Sequence, residues 1–141
     1  MILLDTNVLS ELMKPAPEPL VIQWLDAQLD SQVFLTAVTK AEIELGIALL
    51  PNGKRKEGFT GLASALFDEF QDRILPFDAS AASYYANLVA NARRAGRTLS
   101  VEDAQIAAIT EANRLTLATR NFKDFEFIPD LPLINPWQTT G

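Results

Sequence analysis

MILLDTNVL, residues 1–9, is the stretch on which the reading of this chain turns. Ile2, Leu3 and Leu4 form an apolar run too short for a helix, and a carboxylate, Asp5, ends it. Such a run reads as a short buried strand, and strands buried on both faces belong to parallel sheets covered by helices. Residues 6–13 read as a helix, stopped by Pro15, Pro17 and Pro19. A strand running into a helix, with an acid at the junction, is the repeating unit of α/β folds.

The rest of the chain repeats that unit. A second helix is expected over about 18–29, with Val21, Ile22, Trp24, Leu25 and Leu29 apolar, and a second strand over Val33–Thr36. Thr39 is expected to open a helix that runs to Leu50 and ends at Pro51-Asn52-Gly53. An amphipathic helix fits from Lys54 to Gln71, with Phe59, Leu62, Leu66 and Phe70 as its apolar stripe. Arg73–Pro76 reads as a short strand, Asp78 caps a helix to Ala95 closed by Gly96, and Ser100 caps another to Asn113. Leu115–Ala118 and Leu131–Ile134 are the last strands. The pattern predicts an α/β chain: one three-layer α/β/α domain over residues 1–141, with a parallel sheet of four to five strands.

Composition narrows the chemistry. The 141 residues include no cysteine and no histidine, which removes thiol catalysis, Ser-His-Asp triads and every Cys- or His-ligated metal. What remains is carboxylate, hydroxyl, amide, Lys and Arg chemistry, with a hard ion such as Mg²⁺ or Mn²⁺ if a metal takes part. The net charge of −6 speaks against a non-specific nucleic-acid coat. Two basic clusters stand out, Lys54-Arg55-Lys56 and Arg93-Arg94 with Arg97. The early charge at the N-terminus does not suit a signal peptide, and no apolar run approaches a membrane span, so a soluble cytoplasmic protein is expected.

Three acids fall at comparable places. Asp5 follows strand one, Glu42 is expected in the first turn of the helix after strand two, and Asp103 in the first turn of the helix before strand four. Asn121 follows that strand. In a parallel sheet these places lie along one edge, where α/β proteins bind ligands. Carboxylates gathered there repel one another unless a cation lies among them. Each acid also has a local reading: Asp5 as a helix cap, and Thr39-x-x-Glu42 and Ser100-x-x-Asp103 as capping boxes. The two roles are compatible.

At this point the sequence meets a family. Leu3-Leu4-Asp5-Thr6-Asn7-Val8-Leu9 resembles the opening of PIN-domain ribonucleases of the VapC toxin type. Thr39-Lys40-Ala41-Glu42-Ile43 is similar to their second acidic motif, and the run from Ser100 through Glu102-Asp103 to Ala108 to their third. Ala118-Thr119-Arg120-Asn121-Phe122-Lys123-Asp124-Phe125 resembles the fourth, and Ile134-Asn135-Pro136-Trp137 the tail of a FitB-like branch. The resemblance implies a Mg²⁺- or Mn²⁺-dependent ribonuclease leaving 5′-phosphate and 3′-hydroxyl ends. It also implies the toxin of a type II toxin–antitoxin pair, with RNA as substrate, a cognate antitoxin as partner, a homodimer and a toxin–antitoxin hetero-oligomer.

By the same resemblance Asp5, Glu42 and Asp103 are the catalytic and metal-binding acids, supported by Thr6, Asn7 and Thr119. The fourth ligand falls to Asp124 or Asn121, because this chain has Asn121 where some relatives have Asp. Arg120, beside the fourth motif, is expected to meet an RNA phosphate, the other reading being an ordinary surface arginine. Two other readings stay open: a phosphatase with Asp5 as nucleophile, and a non-catalytic binding module with a toxin-like fold.

Overall fold

Alternate residues of each strand point to opposite faces, and here both faces are apolar. In the computed structural model, which describes residues 1–138, five short strands form one parallel sheet. They are β1 (Ile2–Leu4), β2 (Val33–Thr36), β3 (Ile74–Leu75), β4 (Thr116–Ala118) and β5 (Leu133–Ile134), in the order β3-β2-β1-β4-β5. Leu3, Phe34, Leu75, Leu117 and Leu133 face one core; Leu4, Leu35, Ile74, Ala118 and Ile134 face the other. The helices are α1 (Thr6–Leu12), α2 (Pro19–Asp26), α3 (Ala37–Ala48), α4 (Lys54–Glu69), α5 (Ala79–Arg94), α6 (Val101–Ala112) and α7 (Phe122–Phe125). Helices α5, α6 and α7 cover the first core, and α1 to α4 the second. The predicted three-layer architecture is therefore the observed one. Residues 139–141 of the predicted domain lie outside the described residues.

Local chemistry sets most helix ends as read. Ser100 Oγ accepts from the Asp103 N–H at 3.1 Å, and Asp78 Oδ1 from Ala81 N–H at 2.9 Å. Helix α5 closes on Gly96 at φ 71°, with Arg97 N–H bonded to Ala92 O and Gly96 N–H to Arg93 O. That double bond pattern needs a left-handed residue after the C-cap, which glycine adopts without a steric penalty. Asp78→Ala removes an exposed cap and is expected to lower stability by about 1 kcal/mol. Urea denaturation measures the loss.

Two expectations need correction. Helix α3 starts at Ala37, not Thr39, because the Thr36 hydroxyl accepts from Thr39 N–H at 2.9 Å and is the true N-cap. Glu42 consequently sits in the second turn and is not part of a capping box. On α4 the inward face is Ala63 and Phe67, with Leu62 48% exposed. Phe59, Leu66 and Phe70 of the expected stripe do pack on the second core, so the face is right except at Leu62, whose place is taken by the small Ala63.

Candidate active site

The parallel sheet puts the C-terminal ends of β1 and β4 side by side, and Asp5 N–H bonds to Ala118 O at 2.9 Å across that junction. Asp5 is 3% exposed, so its charge needs donors. Thr6 N–H donates to Oδ1 at 2.8 Å; Thr119 Oγ1 at 2.8 Å and Asn7 Nδ2 at 3.2 Å donate to Oδ2. Asn7 also joins the two loops, donating to Thr119 Oγ1 at 3.2 Å and accepting from Arg120 N–H at 3.3 Å. Asn121 N–H donates to Thr119 Oγ1 at 3.1 Å. Thr119 is fully buried at the centre of this junction.

Glu42 reaches the same place from α3. Its Oε1 accepts from Thr6 Oγ1 at 2.8 Å. Asp103 comes from the first turn of α6. Asp5, Glu42, Asp103 and Asn121 line one open cavity of about 430 Å³ together with Lys14 and Arg120. Burial pushes the Asp5 carboxyl up to about 6; the charges of Asp103 and Glu42 add to the rise, while the Thr119 and Thr6 donors oppose it. Burial also raises Glu42 and Asp103, and each feels the negative charge of Glu102. Asp124 is exposed on α7, outside the cavity lining, yet its charge still raises Asp103.

Several groups around the cavity escaped the sequence reading. Glu102 lay inside a quoted motif without a role. Glu11 and Lys14 form an ion pair at 2.9 Å. Glu11 is buried and also accepts from Glu18 N–H at 3.1 Å, and these donors, Lys14 foremost, hold its carboxyl below the usual range. The signal was available: Asn7, Glu11 and Lys14 follow helical spacing on one face of the first helix and its end. The Arg120 guanidinium lies 5.0 Å over the Trp137 ring, a contact no local pattern announces. Neither predicted basic cluster lines the cavity; among the described residues its cations are Lys14 and Arg120.

The donor set is all oxygen, which fits a hard divalent ion. Among the described residues no three acids already stand close enough to share one ion. A Mg²⁺ that keeps several waters needs only one or two direct carboxylates, so the arrangement suits such an ion.

A family model described as PIN domain matches residues 2–129. The chain belongs to the PIN-domain family. It is 43% identical over 138 residues to toxin FitB of Neisseria gonorrhoeae, covering 97% of this chain and 99% of that protein. It is 41% identical over 139 residues to the VapC ribonuclease Y4jK of Sinorhizobium fredii, covering 98% and 99%. A solved structure of FitAB bound to a DNA fragment superposes with a TM-score of 0.92 at 40% identity, over 100% of this chain and 99% of that one. Among the described residues no helix is long and apolar enough to cross a membrane.

Proposed function

We propose that this chain is a divalent-metal-dependent ribonuclease that hydrolyses RNA phosphodiester bonds. It acts as the toxin of a type II toxin–antitoxin pair and is held in check by a cognate antitoxin. The observation that carries the reading is the convergence of Asp5, Glu42 and Asp103, from three separate elements, on one cavity that also holds Lys14 and Arg120. The relatives named as a toxin and as a ribonuclease support it across nearly the whole chain. The FitAB likeness supports an antitoxin partner. Exposed Leu45 on α3, Leu49 just after it and Leu62 on α4 offer apolar surface for such assemblies, the homodimer included.

Among Asp5, Glu42 and Asp103, one or two would bind Mg²⁺ or Mn²⁺ directly and the rest through its waters, with Asn121 or Asp124 as a further oxygen donor to that shell. Bound there, the ion supplies a water of lowered pKa and polarises the scissile phosphate. Thr6, Asn7 and Thr119 fix the Asp5 carboxylate through the bonds given above. Arg120, steadied over Trp137, and Lys14 give positive charge for RNA phosphates at the rim of an otherwise acidic cavity. The phosphatase reading lacks a second acid two residues after Asp5, where Asn7 instead donates to the Asp5 carboxylate; burst kinetics with a phosphorylated Asp5 would favour it.

The test is cleavage of RNA by purified, partner-free protein with Mg²⁺ or Mn²⁺ and with chelator. Activity is expected only with metal; its absence under every condition favours the binding module. In the same assay Asp103→Ala abolishes cleavage, Glu42→Ala nearly does, and Asp124→Ala weakens it by a smaller factor. Asn121→Asp keeps activity and tightens apparent Mg²⁺ affinity, because a carboxylate adds Coulomb attraction. Wild-type metal affinity and cleavage in Asp124→Ala would leave Asp124 as a helix-start residue.

A further inference from the structure

Three threonine hydroxyls lie in a row behind Glu42, and their proton directions can be deduced. Thr6 Oγ1 donates its single hydrogen to Glu42 Oε1 at 2.8 Å. It also stands 3.0 Å from Thr39 Oγ1. A hydroxyl has one hydrogen and two lone pairs, so in that second bond Thr39 is the donor. Thr39 in turn accepts from Thr36 Oγ1 at 3.3 Å, and Thr36 accepts from Thr39 N–H at 2.9 Å. Every hydroxyl hydrogen in the row is thereby assigned, and all three point toward the carboxylate.

We propose that Thr39, backed by Thr36, is a positioning residue for Glu42: with Thr6 it forms a one-way hydroxyl relay that fixes one carboxylate oxygen and leaves the other free for a ligand. Thr36 and Thr39 are both fully buried, so water does not replace a missing partner. Threonines on other helices here behave differently: Thr60 and Thr110 donate to the carbonyls of Lys56 and Ile106, each at 2.7 Å. That back-bond is the ordinary habit of a helical threonine. Thr39, the third residue of α3, has no helical carbonyl four residues before it, which leaves its hydroxyl available to Thr6. Aligned hydroxyls polarise one another, which strengthens the terminal bond on Glu42. Among the described residues Glu42 Oε2 has no hydrogen-bond partner. The relay's value to the reaction rests on the ribonuclease reading above.

The test compares Thr39→Val, which keeps the shape and removes the hydroxyl, with Thr39→Ser, which restores it. Mn²⁺ affinity of the RNA-free protein is read from the electron paramagnetic resonance of free Mn²⁺, and kcat and KM from RNA cleavage. Thr39→Val is expected to weaken Mn²⁺ binding and kcat by about tenfold, the scale of losing a hydrogen bond behind a metal ligand, with KM for RNA unchanged. Thr39→Ser is expected to recover most of both. A folded Thr39→Val with wild-type Mn²⁺ affinity and kcat overturns the relay. A second reading uses the wild-type protein alone. The Thr39 hydroxyl proton is expected in slow exchange, with a nuclear Overhauser contact to the Thr6 side chain. Exchange as fast as that of exposed Thr60 overturns the relay even if the valine variant fails to fold. Relay protons present in a wild-type protein that binds no Mn²⁺ overturn the ribonuclease reading, and the relay's role with it.

Discussion

Asp5→Asn is expected to abolish RNA cleavage, a loss of roughly a thousandfold or more, because several kcal/mol of transition-state stabilisation depend on the charge that holds the ion. The same substitution should not cost the metal-free protein stability. Moving the carboxyl from 3.8 to about 6 means that burying it ionised costs roughly 3 kcal/mol. Asparagine avoids that cost. It cannot accept from all three donors now on Asp5, which returns about 1–3 kcal/mol. The balance leaves a melting temperature equal to or above that of wild type in chelator.

The sign with pH follows from proton binding. Between 3.8 and about 6 the folded state holds the Asp5 proton and the unfolded chain does not. Stability from this group is therefore full below the unfolded value and is lost as pH rises through the folded one. Thermal melts in chelator from about pH 4 to pH 8 should show wild type losing ground relative to Asp5→Asn across that window. A variant that cleaves at the wild-type rate would remove Asp5 from the mechanism. A flat difference with pH would remove the buried-charge account.

Phe125→Ala carries the largest expected stability effect. Phe125 is fully buried in the core under α5 and α6, and it is the residue through which four-residue α7 is anchored. Truncating a buried phenylalanine costs about 3–5 kcal/mol through lost contacts and the cavity left behind. Set against a total of about 5–15 kcal/mol, that loss should move the urea midpoint steeply. Phe125→Leu keeps most of the volume and should cost less than about 1.5 kcal/mol. An alanine variant as stable as wild type would mean that the core closes over the gap.

The elements and their order were legible in the sequence because their signals are local. A three-residue apolar run bounded by Asp5, a capping Asp78 or Ser100, and Gly96 after α5 each act within a few residues. The places of Asp5 and Asp103 followed too, since a strand end and a helix start are local features. Where two hydroxyls competed for one helix start, sequence spacing chose Thr39 and the backbone chose Thr36: its hydroxyl reaches Thr39 N–H while its own chain is still extended. The site as a whole is a different matter. Asn7 and Thr119 meet because β1 lies between β2 and β4, 112 positions apart in the chain. Arg120 finds Trp137, and Glu102 comes within electrostatic reach of Glu42, by the same long-range packing. Local chemistry in the sequence therefore determined which acids stand at the ends of strands and helices. Strand order and helix packing decided which hydroxyls, amides and cations surround them, because those contacts join segments that carry no mark of one another.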